Sequence, residues 1–167
     1  MKKAAIFTHG KKEVAPGVQL HFVEAGEGSR TVVLIHGFPE TWWQWRHVMP
    51  IFANAGFRVI AVDYRGAGNS SKPSGGYDKR TMARDIRSLV DHLGIDNKIH
   101  MVGHDLGMKV AFSYAALFPE QIEKLVLVDA IIPGAKHFDD LMTTGKLSNF
   151  DLAHFFFHNA KNTLRRL

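Results

Sequence analysis

Between residues 31 and 128 the chain alternates short β-rich runs with helical windows of about a dozen residues, and this rhythm restricts the architecture most. Thr31-Val32-Val33-Leu34-Ile35 is continuous and β-branched, the pattern of a strand covered on both faces. Residues 42–55 read as helical, with Gly56 as the C-cap. Residues 57–62 read as the next strand, and a Gly/Ser/Pro-rich loop runs from 66 to 76. Over residues 81–93, Met82, Ile86, Leu89, Val90 and Leu93 share one helical face, and Gly94 closes the helix. A strand over 98–102, a helix over 106–118 stopped by Pro119, and a strand over 124–128 complete the series. Strands separated by helices of this length predict an α/β fold, with a mostly parallel sheet and flanking helices. Ahead of the series, residues 18–23 alternate apolar and polar as a half-buried strand does. A weaker strand over 4–14 can pair with it through Pro16-Gly17.

Composition removes several classes of function. The 167 residues are 46% hydrophobic and 22% charged, a globular balance. No run approaches the roughly 18 apolar residues of a membrane span. The basic start Met1-Lys2-Lys3 is not followed by an apolar segment long enough for a signal peptide, so a cytoplasmic protein is expected. The absence of Cys removes disulfides, thiolate metal sites and a thiol nucleophile. The net charge of +5 gathers at the ends, in Lys2, Lys3, Lys11 and Lys12 and in Lys161, Arg165 and Arg166. No basic stripe interleaved with aromatic residues exists, so no nucleic-acid partner is expected.

Two motifs carry chemistry. Gly103-His104-Asp105-Leu106-Gly107 lies between an apolar strand and an apolar helix, as a nucleophile elbow with Asp in the attacking position. The turn is tight and strained, so small residues must flank it, and the following helix N-terminus favours negative charge there. An ordinary strand–helix turn with Asp105 as an N-cap is the other reading of these five residues. His36-Gly37-Phe38-Pro39 follows the strand at Thr31, where an elbow fold needs its second oxyanion donor. The backbone N–H groups of Phe38 and Leu106 would then converge on one spot. A simple loop before a helix is again the alternative.

Taken together, these motifs resemble the α/β-hydrolase fold and, within it, the epoxide hydrolases. The resemblance runs from His36-Gly37-Phe38-Pro39-Glu40-Thr41-Trp42-Trp43-Gln44-Trp45-Arg46 through Asp63-Tyr64-Arg65-Gly66, Gly68-Asn69-Ser70 and the elbow to Leu125-Val126-Leu127-Val128-Asp129. His154-Phe155-Phe156-Phe157-His158 looks like the start of the inserted helical cap. The resemblance therefore implies residues 1–132 as the N-terminal part of the core and 133–167 as the start of the cap. It also implies a chain cut short, with the last strands and most of the cap missing.

An Asp nucleophile fits an sp³ carbon. A carboxylate with a reference pKa near ~3.9 is ionised at neutral pH and attacks without a base. The product is an alkyl–enzyme ester that water hydrolyses, so epoxides or alkyl halides suit Asp105 better than carboxylic esters. Leu106 and Lys109 stand where related dehalogenases carry halide- or carboxylate-binding residues, so epoxide hydrolysis leads and dehalogenation is the alternative. His36, Pro39, Trp43 and His104 are the candidate residues of a pocket for an apolar epoxide. In the resemblance, a late His with an acid activates the water and cap tyrosines protonate the epoxide. Here the last Tyr is Tyr114, and His137, His154 and His158 match no such position. Asp129 is a structural residue or, as in some dehalogenases, the acid. His154 and His158 lack a third ligand, and no metal or cofactor is expected. A non-catalytic pseudoenzyme or binding module remains the other class of reading. The sixth strand is expected to form an exposed edge through which copies pair.

Overall fold

The computed structural model describes residues 7–129. Residues 130–167, where the cap reading falls, lie outside the described residues. Six strands form one sheet: β1 (Thr8–Ala15), β2 (Val18–Ala25), β3 (Arg30–Ile35), β4 (Phe57–Asp63), β5 (Ile99–His104) and β6 (Ile122–Val128). Their spatial order is β1-β2-β4-β3-β5-β6. β1 and β2 form an antiparallel hairpin, and β2 lies antiparallel to β4. The pairs β3–β4, β3–β5 and β5–β6 are parallel. The weak strand forms over Thr8–Ala15 and pairs with β2 through the turn at Pro16-Gly17, with Gly17 at φ 72°, while residues 4–6 of the expected run lie outside the described residues.

Apolar alternation along the strands builds two half-cores. Leu20, Phe22, Val33, Ile35, Ile60, Val62 and Met101 face one way. They pack on α2 (Lys79–His92) through Met82, Ile86, Leu89 and Val90, and on α3 (Leu106–Leu117) through Val110, Ala111 and Tyr114. Val23, Ala25, Val32, Leu34, Val59 and Ala61 face the other way, onto Trp42, Trp45 and Met49. β3 is therefore buried on both sides, as its unbroken β-branched run requires.

One expectation needs correction. Residues 42–55 do not form a single helix. A 3-10 turn spans Trp42–Trp45, and α1 covers only Met49–Asn54. The break precedes Pro50, which lacks a backbone N–H and is accepted only at a helix start. Thr41 caps the 3-10 turn, its side chain accepting from Trp43 N. The short turn lets Trp42 and Trp45 bury their rings while Trp43 stays exposed.

Two polar devices hold the sheet's functional end. Arg65, just beyond β4, donates to both carboxylate oxygens of Asp85 on α2, at 2.5 and 2.6 Å, and to Gly75 O at 3.1 Å. It braces the loop over 66–76 against α2. Asp63, at the end of β4, is fully buried. It accepts from Trp42 N (2.7 Å), His21 Nδ1 (2.8 Å) and Asn69 N (3.1 Å).

Two stability tests follow from these contacts. Truncating Asp85 to Ala strands the buried Arg65 guanidinium and is expected to cost about 3–5 kcal/mol in urea unfolding. Asp78 caps α2, accepting from Thr81 N (2.9 Å) and Thr81 Oγ1 (2.7 Å), and these bonds hold its carboxyl below the usual range. D78A is expected to cost about 1 kcal/mol at neutral pH. A depressed carboxyl contributes stability above its unfolded value and loses it as pH falls through the folded one. The gap between wild type and D78A should therefore close in acid, and unfolding midpoints at pH 7 and below 3.8 check this.

Candidate active site

The site forms where two neighbouring parallel strands end. Ile35 of β3 lies in register with Gly103 of β5, so the loops leaving both strands meet at the carboxyl edge of the sheet. From β3 the order runs to β4 on one side and β5 on the other. Ligand crevices of open α/β sheets occur at such a switch point.

Asp105 occupies the turn between β5 and α3 at φ 47°, ψ −116°. This is a left-handed backbone for a residue with a Cβ, of the kind held only by surrounding structure. The N–H of Asp105 donates to Val128 O at 3.0 Å, which ties the turn to β6. Glycines are obligatory around it. A Cβ on Gly107 would lie 2.4 Å from the carbonyl oxygens of both Ile35 and His36. A Cβ on Gly103 would lie 2.5 Å from Gly107 O. The alternative reading of Asp105 as a helix cap does not hold, because its side chain makes no capping hydrogen bond to α3. Its Oδ2 accepts from Phe38 N at 2.9 Å instead.

The orientation of that N–H is set from behind. Gly37 O accepts from His36 Nδ1 (2.7 Å), Tyr64 Oη (3.2 Å) and Glu40 N (3.1 Å). In a trans peptide the carbonyl and the following N–H point in opposite directions. Drawing Gly37 O inward therefore turns the Phe38 N–H outward, toward Asp105. His36 is fully buried, and its ring stacks on Tyr64 with centroids 4.2 Å apart. Burial lowers the His36 pKa, so the ring is neutral at pH 7 and gives its proton to Gly37 O. Burial also pushes the Tyr64 hydroxyl up, which keeps it a donor.

The sequence-derived candidates separate in space. Phe38 and Asp105 meet through their hydrogen bond, and Leu106 opens α3 directly after Asp105. His104 flanks Asp105 on the β5 side, half-buried. Phe38, Pro39 and Trp43 are exposed beside this edge, and the Phe38–Pro39 peptide is cis. His36 lies beneath the loop rather than on its surface. The sequence reading passed over Tyr64 and Gln44. Gln44 is the one polar side chain in Trp42-Trp43-Gln44-Trp45, a signal that it is kept for a purpose other than packing.

Two lysines shape the local field. Burial pushes the ammonium groups of Lys79 and Lys109 below the usual lysine range, while Asp105 pulls both upward. Among the described residues no cluster of three or more His, Cys, Asp or Glu could hold a metal ion. Nor is any helix there long and apolar enough to cross a membrane.

Comparison with known proteins agrees with this geometry. Residues 30–167 match the alpha/beta hydrolase fold family. The chain is 44% identical over 146 residues to the soluble epoxide hydrolase of Corynebacterium sp. (strain C12), covering 85% of this chain and 48% of that protein. Among solved structures it superposes on the epoxide hydrolase CorEH with a TM-score of 0.70 and 39% identity, over 89% of this chain and 55% of that one. Epoxide hydrolase VrEH1 from Vigna radiata gives 0.72 at 31% identity, over 83% of this chain and 46% of that one. The chain thus spans about half the length of these relatives. A strained Asp elbow facing a backbone donor on the neighbouring strand's loop, within a matching sequence, places this chain in the α/β-hydrolase fold family.

Proposed function

We propose that this chain carries the nucleophile half of an epoxide hydrolase acting on an apolar epoxide, with residues 1–132 as core and 133–167 as the start of a cap. The carrying observation is the Asp105 carboxylate, set on a strained turn and aimed by the Phe38 N–H at 2.9 Å. Similarity to epoxide hydrolases supports the substrate class.

In this reading one Asp105 oxygen attacks a ring carbon from the side opposite the C–O bond. That bond breaks, and its electron pair leaves on oxygen as an alkoxide, which takes up a proton. The product is an ester between Asp105 and the opened substrate. Water then adds to the ester carbonyl, and the charge that develops on its oxygen is held by the N–H groups of Phe38 and Leu106. Two such donors stabilise it by several kcal/mol. Collapse releases a vicinal diol and restores the carboxylate. The first step needs no base, because the carboxylate is already ionised. The second needs an activated water.

Incubation with styrene oxide, followed at early times by intact-mass and peptide spectrometry, is expected to give one adduct on the Asp105 peptide. D105A should give none. The absence of both adduct and diol from the wild type overturns the nucleophile assignment.

A cytoplasmic location and pairing of copies belong to the same proposal. β6 ends the sheet among the described residues, with Val126 49% and Val128 40% exposed. Strand edges of this kind pair with other chains. Light scattering is expected to report a dimer or larger, and a monodisperse monomer overturns the pairing.

A further inference from the structure

Gln44 links the two loops of the site. Gly37 N donates to Gln44 Oε1 at 3.1 Å, and Gln44 Nε2 reaches His104 Nδ1 at 2.8 Å. Gly37 directly precedes Phe38, and His104 directly precedes Asp105. The Phe38–Asp105 hydrogen bond closes the circuit. The result is a ring of three hydrogen bonds and two covalent links around the carboxylate.

The chemistry of the donors orders this ring. A backbone N–H can only donate, so the amide oxygen of Gln44 must face Gly37. The amide NH2 must then face His104. An NH2 only donates, so His104 Nδ1 must accept and the ring proton sits on Nε2. That Nε2 faces Asp129 Oδ2 at 3.8 Å, which agrees with a proton there. Glu40 Oε2 lies 3.5 Å from Nδ1 and would pair with it only if Nδ1 carried a proton. The circuit is also tightly packed. A Cβ added to Gly37 would lie 2.7 Å from His104 Nδ1 and 3.0 Å from Asp105 Cβ.

We propose that Gln44 is a positioning residue for Asp105: it clamps the Phe38 loop to the elbow and orients the His104 ring with Nδ1 as acceptor and the proton on Nε2. The clamp fixes the separation between the Phe38 N–H and the carboxylate it aims. This rests on the reading of Asp105 as nucleophile, but the tautomer of His104 can be tested without it.

The experiment follows alkylation of Asp105 by styrene oxide in wild type, Q44L and Q44E, beside 15N spectra of the histidines, with His104 assigned by its loss in H104N. In the wild type, Nδ1 of His104 should show the shift of an unprotonated nitrogen. Q44L keeps the bulk and loses both bonds, and its maximal alkylation rate is expected to fall ~10–100-fold with the half-saturating epoxide concentration little changed. Q44E accepts at both ends, from Gly37 N and from a proton moved to His104 Nδ1. It should recover most of the rate while shifting the tautomer signal. Wild-type rates in Q44L, or a proton on Nδ1 in the wild type, overturn the proposal. If the wild type is not alkylated at all, the nucleophile assignment fails, and the His104 spectrum alone then decides whether the Gln44 link exists.

Discussion

The hydrogen bond from Phe38 N–H to Asp105 joins residues 67 positions apart, and the functional end of the molecule is organised around it. It requires β3 and β5 to be adjacent and parallel, so that both strands deliver their loops to one edge. It also requires Asp105 to hold a left-handed backbone, which costs about 1–3 kcal/mol for a residue other than glycine. That cost is offset by the bond from Asp105 N to β6 and by the burial of α3 behind the turn. A loop lacking this framework would relax, and the carboxylate would swing toward the helix as an ordinary cap.

Beneath this contact lies a layer of buried polar groups. His36 and Tyr64 hold Gly37 O and thereby aim the Phe38 N–H. Asp63 ties the 3-10 turn at Trp42 to β2 and to the loop at Asn69. Arg65 and Asp85 fasten the next loop to α2. Each bond is ordinary alone. Together they leave the loop that carries Phe38 one position, and a site preorganised in this way reduces the reorganisation that a reaction would otherwise require.

Much of this was legible in the sequence because it is written in local pattern. The β-branched run at Thr31 signals a doubly covered strand, the spacing of Met82, Ile86, Leu89 and Val90 signals a one-faced helix, and the elbow's glycines signal a turn with no room for side chains. The stretch over 42–55 was misread because its aromatic and apolar residues suit a helix, whereas Thr41 and Pro50 divide it into a 3-10 turn and a short α-helix. Gln44 and Tyr64 were passed over for another reason. Their partners, His104 and Gly37, are distant in sequence, so no local rule points to them.

Order along the chain was therefore enough to establish which elements exist, that the sheet is mostly parallel, and that an acid stands at the elbow between a strand and a helix. Those features depend on periodicity, turn chemistry and side-chain size, which act over a few residues. Only the tertiary structure decided that Asp105 faces Phe38 rather than capping α3, that His36 lies under the loop, and that Gln44 bridges Gly37 and His104. These outcomes depend on which strands become neighbours and on which buried donors must find acceptors, and both are settled by packing the whole sheet at once.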